Sequence, residues 1–268
     1  MIFSQSDLPT IAQKVGAIAK EAGAFILNER KAFSAKKVEI KGHNDFVSYV
    51  DKGAEKLIIE ALKTLLPQAG FIAEEGTEKP DDNPLKWVID PLDGTTNFIH
   101  GVPCFAVSIA LLRDKEPLIG VVYEINQHEL FSAWKNGGAF LNGSPIYVSA
   151  SRSVKESLLG TGFPYSDYHL LDEYLALFKH LMQYSRGLRR PGSAATDLAY
   201  TAAGRFDGFY EYSLSPWDVA AGVLLVREAG GIVSDFSGGD DAIFTSEIIA
   251  TNVNIHAELL QLVQKFMK

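Results

Sequence analysis

Apolar residues at helical spacing open the chain. Leu8, Ile11, Val15, Ile18, Ala19, Ala22, Phe25 and Ile26 predict an amphipathic helix over 7–31, with Asp7 as its cap. Residues 36–41 are basic and strand-prone, Gly42-His43-Asn44-Asp45 reads as a turn, and 46–50 read as a strand running into Asp51. Ala54, Leu57, Ile58, Ala61, Leu62 and Leu65 predict a second helix that Pro67 stops. Two short apolar runs follow, 71–73 and 87–89, and each ends in acid: Glu74-Glu75-Gly76 after the first, Asp90-Pro91 after the second. Residues 105–112, 117–123 and 129–134 alternate with polar turns and predict an antiparallel meander, which Gly137-Gly138 and Asn142-Gly143 bring to a close.

The second half changes texture. Strands over 157–162, 206–210, 232–235 and 248–250, and a short one from Leu188 into a turn at Gly192, alternate with helices over 167–184, 193–203, 216–228 and 255–266. Such alternation predicts a mixed or parallel sheet covered by helices. The serine- and charge-rich stretch 149–156 marks a boundary between subdomains 1–148 and 149–268. It is short enough to be a hinge within one compact body.

Composition narrows the function classes. Hydrophobic residues at 47% and charged residues at 22% belong to a soluble globular protein. A net charge of −8 over 268 residues leaves no basic field for general nucleic-acid binding. One cysteine, Cys104, excludes an internal disulfide, and its apolar neighbours make it a buried thiol, not a nucleophile. With no membrane-length apolar run and no signal-peptide pattern, the expected location is cytoplasmic, away from membranes.

Candidate chemistry centres on 87–98. A strand delivers Asp90 and Asp93 beside Gly94, which permits a left-handed turn, and Thr95, whose hydroxyl suits a helix start. Carboxylate oxygens bind hard cations and helix N-termini bind phosphate, so this turn suggests metal-assisted phosphate chemistry. Asp-Pro and Asp-Gly are also ordinary turn signals, and Asp51 at a helix start reads equally as a cap. What tips the balance is position: Glu74, Asp90, Asp93 and Asp218 each stand where an element begins or ends, whereas surface acids usually lie mid-element. The Asp-x-x-Asp spacing with proline between differs from the Asp-x-Asp element of phosphatases that form an aspartyl-phosphate.

Three motifs together carry a family resemblance. They are Glu74-Glu75-Gly76, Trp87-Val-Ile-Asp90-Pro-Leu-Asp93-Gly-Thr95-Thr-Asn-Phe98, and Trp217-Asp218-Val-Ala-Ala-Gly222 with Glu228-Ala-Gly-Gly231. Supported by 41–51 and 137–143, they resemble the inositol monophosphatase family of magnesium-dependent, lithium-sensitive phosphatases over nearly the whole chain. Ala73 stands where the family has glycine. The resemblance implies an α+β fold, a layered αβαβα sandwich of the sugar-phosphatase type. It implies two or three Mg2+ ions held by Glu74, Asp90, the Leu92 carbonyl, Asp93 and Asp218, with Asp90 bridging. It implies that Thr95, hydrogen-bonded to Asp51, and Glu74 activate water, and that Gly94 and Thr95 hold phosphate. Asp93, Gly192, Ser193, Ala194, Glu211 and Asp218 would line the substrate pocket, with Glu211 accepting hydroxyl hydrogen bonds. The implied substrate is a small phosphate monoester, inositol 1-phosphate first, with a 3′(2′),5′-bisphosphate nucleotide or fructose 1,6-bisphosphate as alternatives. The implied assembly is a homodimer. A regulatory binding protein with a vestigial site is the non-enzymatic alternative. The six histidines fall outside the motifs that carry the implied ligands.

Overall fold

The computed structural model describes residues 4–32, 39–40, 46–47, 49–78, 82–165 and 167–267. The expected basic stretch and turn before residue 46 lie largely outside them. A 3-10 turn at Gln5–Asp7 leads into α1 (Leu8–Ala32). Asp7 does not cap this helix from outside: its Oδ2 accepts the Ser4 N–H (2.7 Å), so the cap is one turn earlier. After a two-strand ribbon, β1 (Glu39–Ile40) and β2 (Phe46–Val47), comes α2 (Tyr49–Leu65), which starts before the expected strand would have ended. Asp51 therefore lies in the first helical turn.

A seven-stranded sheet follows. Its strands are β3 (Gly70–Ala73), β4 (Leu85–Asp93), β5 (Ala106–Arg113), β6 (Glu116–Glu124), β7 (Glu129–Trp134), β8 (Gly138–Leu141) and β9 (Ser144–Ile146), adjacent in that order, with the short α3 (Thr95–His100) between β4 and β5. β3 and β4 run parallel; the other neighbours are antiparallel. The meander thus continues two strands past its expected end. Asn142 (φ 49°) and Gly143 (φ 84°) form the tight turn between β8 and β9, where a left-handed pair matches the twist of a hairpin.

The remainder comprises β10 (Leu158–Thr161), α4 (Leu171–Tyr184), β11 (Gly187–Arg189), α5 (Ala194–Ala202), β12 (Gly208–Tyr212), α6 (Pro216–Glu228), β13 (Ile232–Ser234), β14 (Glu247–Thr251) and α7 (His256–Phe266). The five strands form a mixed sheet in the order β11-β10-β12-β14-β13. Glu211 lies inside β12, paired to Ile248, not beyond a strand end as the sequence suggested.

Alternation sorts the core into layers. Trp87, Ile89, Val107, Ile109 and Leu111 pack with α1 and α2 on one face of the large sheet. Val88, Ala106, Ala110 and Leu112 face the other way, onto α5 and α6. Both faces are covered, which is why β4 and β5 read as unbroken apolar runs. The smaller sheet repeats the arrangement. Phe209, Ile248 and Ala250 join the α5–α6 layer, while Tyr210 and Ile249 face α4 and α7. The result is an αβαβα sandwich. Its middle helix α6 buries Val219, Ala220, Ala221, Val223, Leu224, Leu225 and Val226, apolar all round because it has a sheet on either side.

Close approach of α6 to the large sheet depends on Gly120 in β6. A Cβ there would meet the Ala221 carbonyl oxygen at 2.6 Å. Gly120→Ala will destabilise the fold by about 1–3 kcal/mol, the usual penalty for overpacking a rigid contact. Urea denaturation of the two proteins checks this; equal midpoints would mean that the layers yield freely. His256, the buried histidine at the start of α7, lies between the Ser234 and Thr251 hydroxyls (3.1 and 3.0 Å), a structural setting far from the acids described next.

Candidate active site

Parallel pairing of β3 with β4 sets Ala73 beside Ile89, so Glu74, just past the end of β3, comes beside Asp90, which lies within β4 and not at its end as the sequence suggested. The Glu74 N–H donates to the Ile89 carbonyl (3.2 Å). The loop beyond is held by Glu55, an acid wholly buried on α2. Its carboxylate accepts the N–H groups of Glu75 (2.7 Å) and Thr77 (3.0 Å) and the Thr77 hydroxyl (2.6 Å).

Residues three apart on a strand ordinarily point to opposite faces. Asp90 and Asp93 escape this because the register of β4 shifts between them: Asp90 pairs with Ser108, and Asp93 with Ala106. The bulge turns both carboxylates to one side. Leu92 N–H donates to Asp90 Oδ1 (2.9 Å) and shapes the turn. Gly94 takes φ +92° in tight quarters, where a Cβ would lie 3.0 Å from the Cys104 carbonyl and 3.2 Å from that of Gly192. The Thr95 hydroxyl donates to the Leu92 carbonyl (3.0 Å), so its proton is directed there and not to Asp51 as the resemblance implied. Asp51 is nonetheless near enough for its charge to act on Glu74. Asn97 Nδ2 bridges α3 to the distant 190s loop through the carbonyls of Cys104 (2.7 Å) and Pro191 (2.9 Å).

The second half of the chain closes the site. Asp93 Oδ2 accepts the Ser193 hydroxyl (2.6 Å) and the Ala195 N–H (2.7 Å) at the start of α5. Asp218 is the third residue of α6, where Pro216 needs no N–H partner, and its Oδ2 accepts the Ser215 N–H (2.7 Å). Carboxylate oxygens of Asp90, Asp93 and Asp218 all lie within 4.8 Å of one another. Glu74 adjoins them, near enough to Asp90 and Asp218 for their charges to act on one another.

Acids so close repel. Burial, then the charges of Glu74, Asp93 and Asp218, pushes Asp90 well above the carboxylate range. Burial, then Asp218, Asp51 and Glu75, does the same to Glu74. Asp93 is raised by burial to about 6, restrained by its bonds from Ser193 and Ala195. A group of oxygen donors held together against their own repulsion is a site for a hard cation. Cys104, by contrast, is pushed up to about 12 by burial, which leaves an inert thiol.

Beside the acids lies a cavity of about 110 Å3 lined by Asp93, Gly192, Ser193, Ala194, Glu211 and Asp218, together with Arg190 and Asp197. Burial, opposed by Arg190, raises Glu211 well above its usual range. The cavity adjoins an aromatic cleft of about 440 Å3 formed by Phe163, Tyr165, Tyr168 and Tyr174. Sequence reasoning missed Glu55, Arg190 and Asp197. The signal for two of them was present: Glu55 falls on the apolar face of α2, and Asp197 interrupts the small-residue run of α5.

The layering and the acid cluster define a protein of the sugar-phosphatase fold. The profile of the inositol monophosphatase family matches residues 7–268, and the chain belongs to that family. It is 46% identical over 243 residues to the Nus factor SuhB of Escherichia coli strain K12, covering 90% of this chain and 91% of that protein. It is 44% identical over 229 residues to the inositol-1-monophosphatase of Rhizobium meliloti, covering 85% and 86%. The crystal structure of the extragenic suppressor protein suhB from Bartonella henselae superposes with a TM-score of 0.89 at 41% identity, covering 96% of this chain and 99% of that one. Among the described residues, no helix is long and apolar enough to cross a membrane.

Proposed function

We propose that the chain is a magnesium-dependent phosphate monoester hydrolase whose first substrate is inositol 1-phosphate. The observation that carries this is the convergence of Asp90, Asp93 and Asp218 within 4.8 Å, with Glu74 near enough for its charge to act on Asp90. Oxygen-only donors with few carboxylates suit magnesium, which prefers to share its coordination with water and substrate phosphate. Glu74, Asp90, Asp93, Asp218 and the Leu92 carbonyl would hold two or three such ions. Magnesium bound there supplies positive charge that acidifies water and stabilises charge developing on the phosphoryl group.

The chain's own groups do the rest. Glu74, Asp51 and the Thr95 hydroxyl orient the attacking water and accept its proton, directly or through one another. The N–H groups of Gly94 and Thr95 fix the phosphate oxygens at the mouth of the turn. Glu211, on β12, accepts a hydroxyl hydrogen bond from the departing alcohol, and the backbone around Gly192, Ser193 and Ala194 shapes that pocket. No covalent phosphoenzyme is required.

One observation favours a second reading. The aromatic cleft beside the cavity suits a flat base, as in a 3′(2′),5′-bisphosphate nucleotide. The name Nus factor on the E. coli relative raises a regulatory reading as well, which the intact acid cluster opposes. A panel of inositol 1-phosphate, adenosine 3′,5′-bisphosphate and fructose 1,6-bisphosphate, with and without magnesium, decides among these. We expect magnesium-dependent turnover with inositol 1-phosphate highest; a preference for the nucleotide by orders of magnitude would replace the first reading with the second.

A further inference from the structure

We propose that Asp197 is a second hydroxyl-reading acid of the alcohol pocket, paired with Glu211, so that the site selects a leaving group bearing at least two free hydroxyls. The inference rests on the phosphatase reading above and deepens it. Apart from the half-buried Tyr200, helix α5 is otherwise built of small or apolar buried residues, and Asp197 is 1% exposed within it. Its Oδ1 is sealed from solvent and has no hydrogen-bond partner. The duties an aspartate might serve in a helix are already filled. Ser193 caps α5 through its hydroxyl, which accepts the Thr196 N–H (3.3 Å), and the Asp197 N–H is spent on the Ser193 carbonyl (2.9 Å). The charge of Arg190 acts on Asp197, yet no donor satisfies Oδ1, and a buried acceptor without a donor is destabilising, so capping of the helix does not account for it.

The surroundings supply a purpose. Asp197 lines the same cavity as Glu211, Asp93 and Asp218. Glu211 reaches that cavity from β12 across Gly162, where a Cβ would fall 1.8 Å from its Oε1, so the carboxylate's placement depends on a bare glycine. Asp197 arrives from α5. Two carboxyls from separate elements therefore border one small cavity. Arg190 also lines it; its guanidinium donates to the Tyr165 hydroxyl (2.7 Å) and lies over the rings of Phe163 and Tyr165. A carboxyl oxygen accepts hydrogen bonds whether the group is ionised or protonated, and a polyol brings donors without bringing charge. A ring alcohol with neighbouring hydroxyls would give one donor to Glu211 and another to Asp197. A phosphate ester of a phenol would give neither.

The test compares the full-length wild type with Asp197→Ala and Asp197→Asn, in magnesium, on inositol 1-phosphate and on p-nitrophenyl phosphate. For Asp197→Ala we expect kcat/KM on inositol 1-phosphate to fall about tenfold to a hundredfold, the range for leaving a buried hydroxyl without its acceptor. The loss should appear chiefly in KM and exceed the loss on p-nitrophenyl phosphate by at least about tenfold. Asp197→Asn, which keeps the shape, should weaken competitive inhibition by free inositol, a readout that a merely structural residue would not move. Equal losses on both esters, or unchanged inhibition by inositol, would overturn the assignment of Asp197 and leave the phosphatase reading intact. A wild type that hydrolyses neither ester would overturn the phosphatase reading, and this inference with it.

Discussion

Asp90→Asn lowers kcat on inositol 1-phosphate by about 10^3-fold or more, because cation-borne charge stabilisation is worth several kcal/mol and each 1.4 kcal/mol is a factor of ten. Glu74, Asp93 and Asp218 all act on Asp90, and it is itself 2% exposed. The substitution preserves the turn, since an asparagine oxygen can still accept the Leu92 N–H that Asp90 Oδ1 accepts now. Loss of activity should therefore come without loss of fold, as circular dichroism would show. In the cation-free protein at alkaline pH, where these carboxyls ionise, the variant should even melt higher than wild type, because one member of a repelling set is gone. Activity within tenfold of wild type would sink the cation assignment.

The second large effect couples pH to cation. Carboxyls whose folded pKa lies above the unfolded value stabilise the fold fully below the unfolded value, about 4. They lose that contribution as pH rises through the folded value. Asp93, raised to about 6, and Glu74 and Asp90, raised well above their ordinary range, all have this sign. The cation-free protein should thus lose stability between pH 4 and pH 6 and continue to lose it above. Magnesium reverses the trend by binding the ionised forms. At one hundred times its dissociation constant it adds about 2.7 kcal/mol. That is a rise in Tm of roughly 5–10 °C for a chain of this length. Calorimetry with chelator and with magnesium, at pH 5 and pH 8, reads the effect. The magnesium shift should be large at pH 8 and small at pH 5, where protons compete; equal shifts at both pH values would contradict the account.

These predictions draw on different levels of the molecule. Local sequence was enough for the helical faces of α1 and α2 and for the acids at strand and helix ends. It was enough as well for the opening of α6 at Pro216, because capping, periodicity and turn chemistry act over a few residues. It was enough, too, to place Glu74, Asp90, Asp93 and Asp218 as candidates, through motifs whose spacing is local even when the motifs themselves are far apart. It left open which side of the chain each carboxylate faces. By strand period alone Asp90 and Asp93 diverge, and only the bulge against β5 brings them together. Nor did it disclose that Ser193 and Ala195 hold Asp93, that Thr95 turns its proton to Leu92, or that Glu55 anchors the loop of Glu74. Each of these depends on pairing between segments distant in the chain. The continuation of the meander into β8 and β9 was signalled by Asn142-Gly143, yet a turn signal marks an end or a hairpin equally until a partner strand exists. Asp197 is the sharpest case. Along the chain it is one acid among small residues, and only the packing of α5 against the cavity leaves it buried, with Oδ1 unpaired, beside Glu211. The sequence by itself determined which residues carry charge at the ends of which elements. Burial and register, which exist only once the layers close, decided which of those charges share a site.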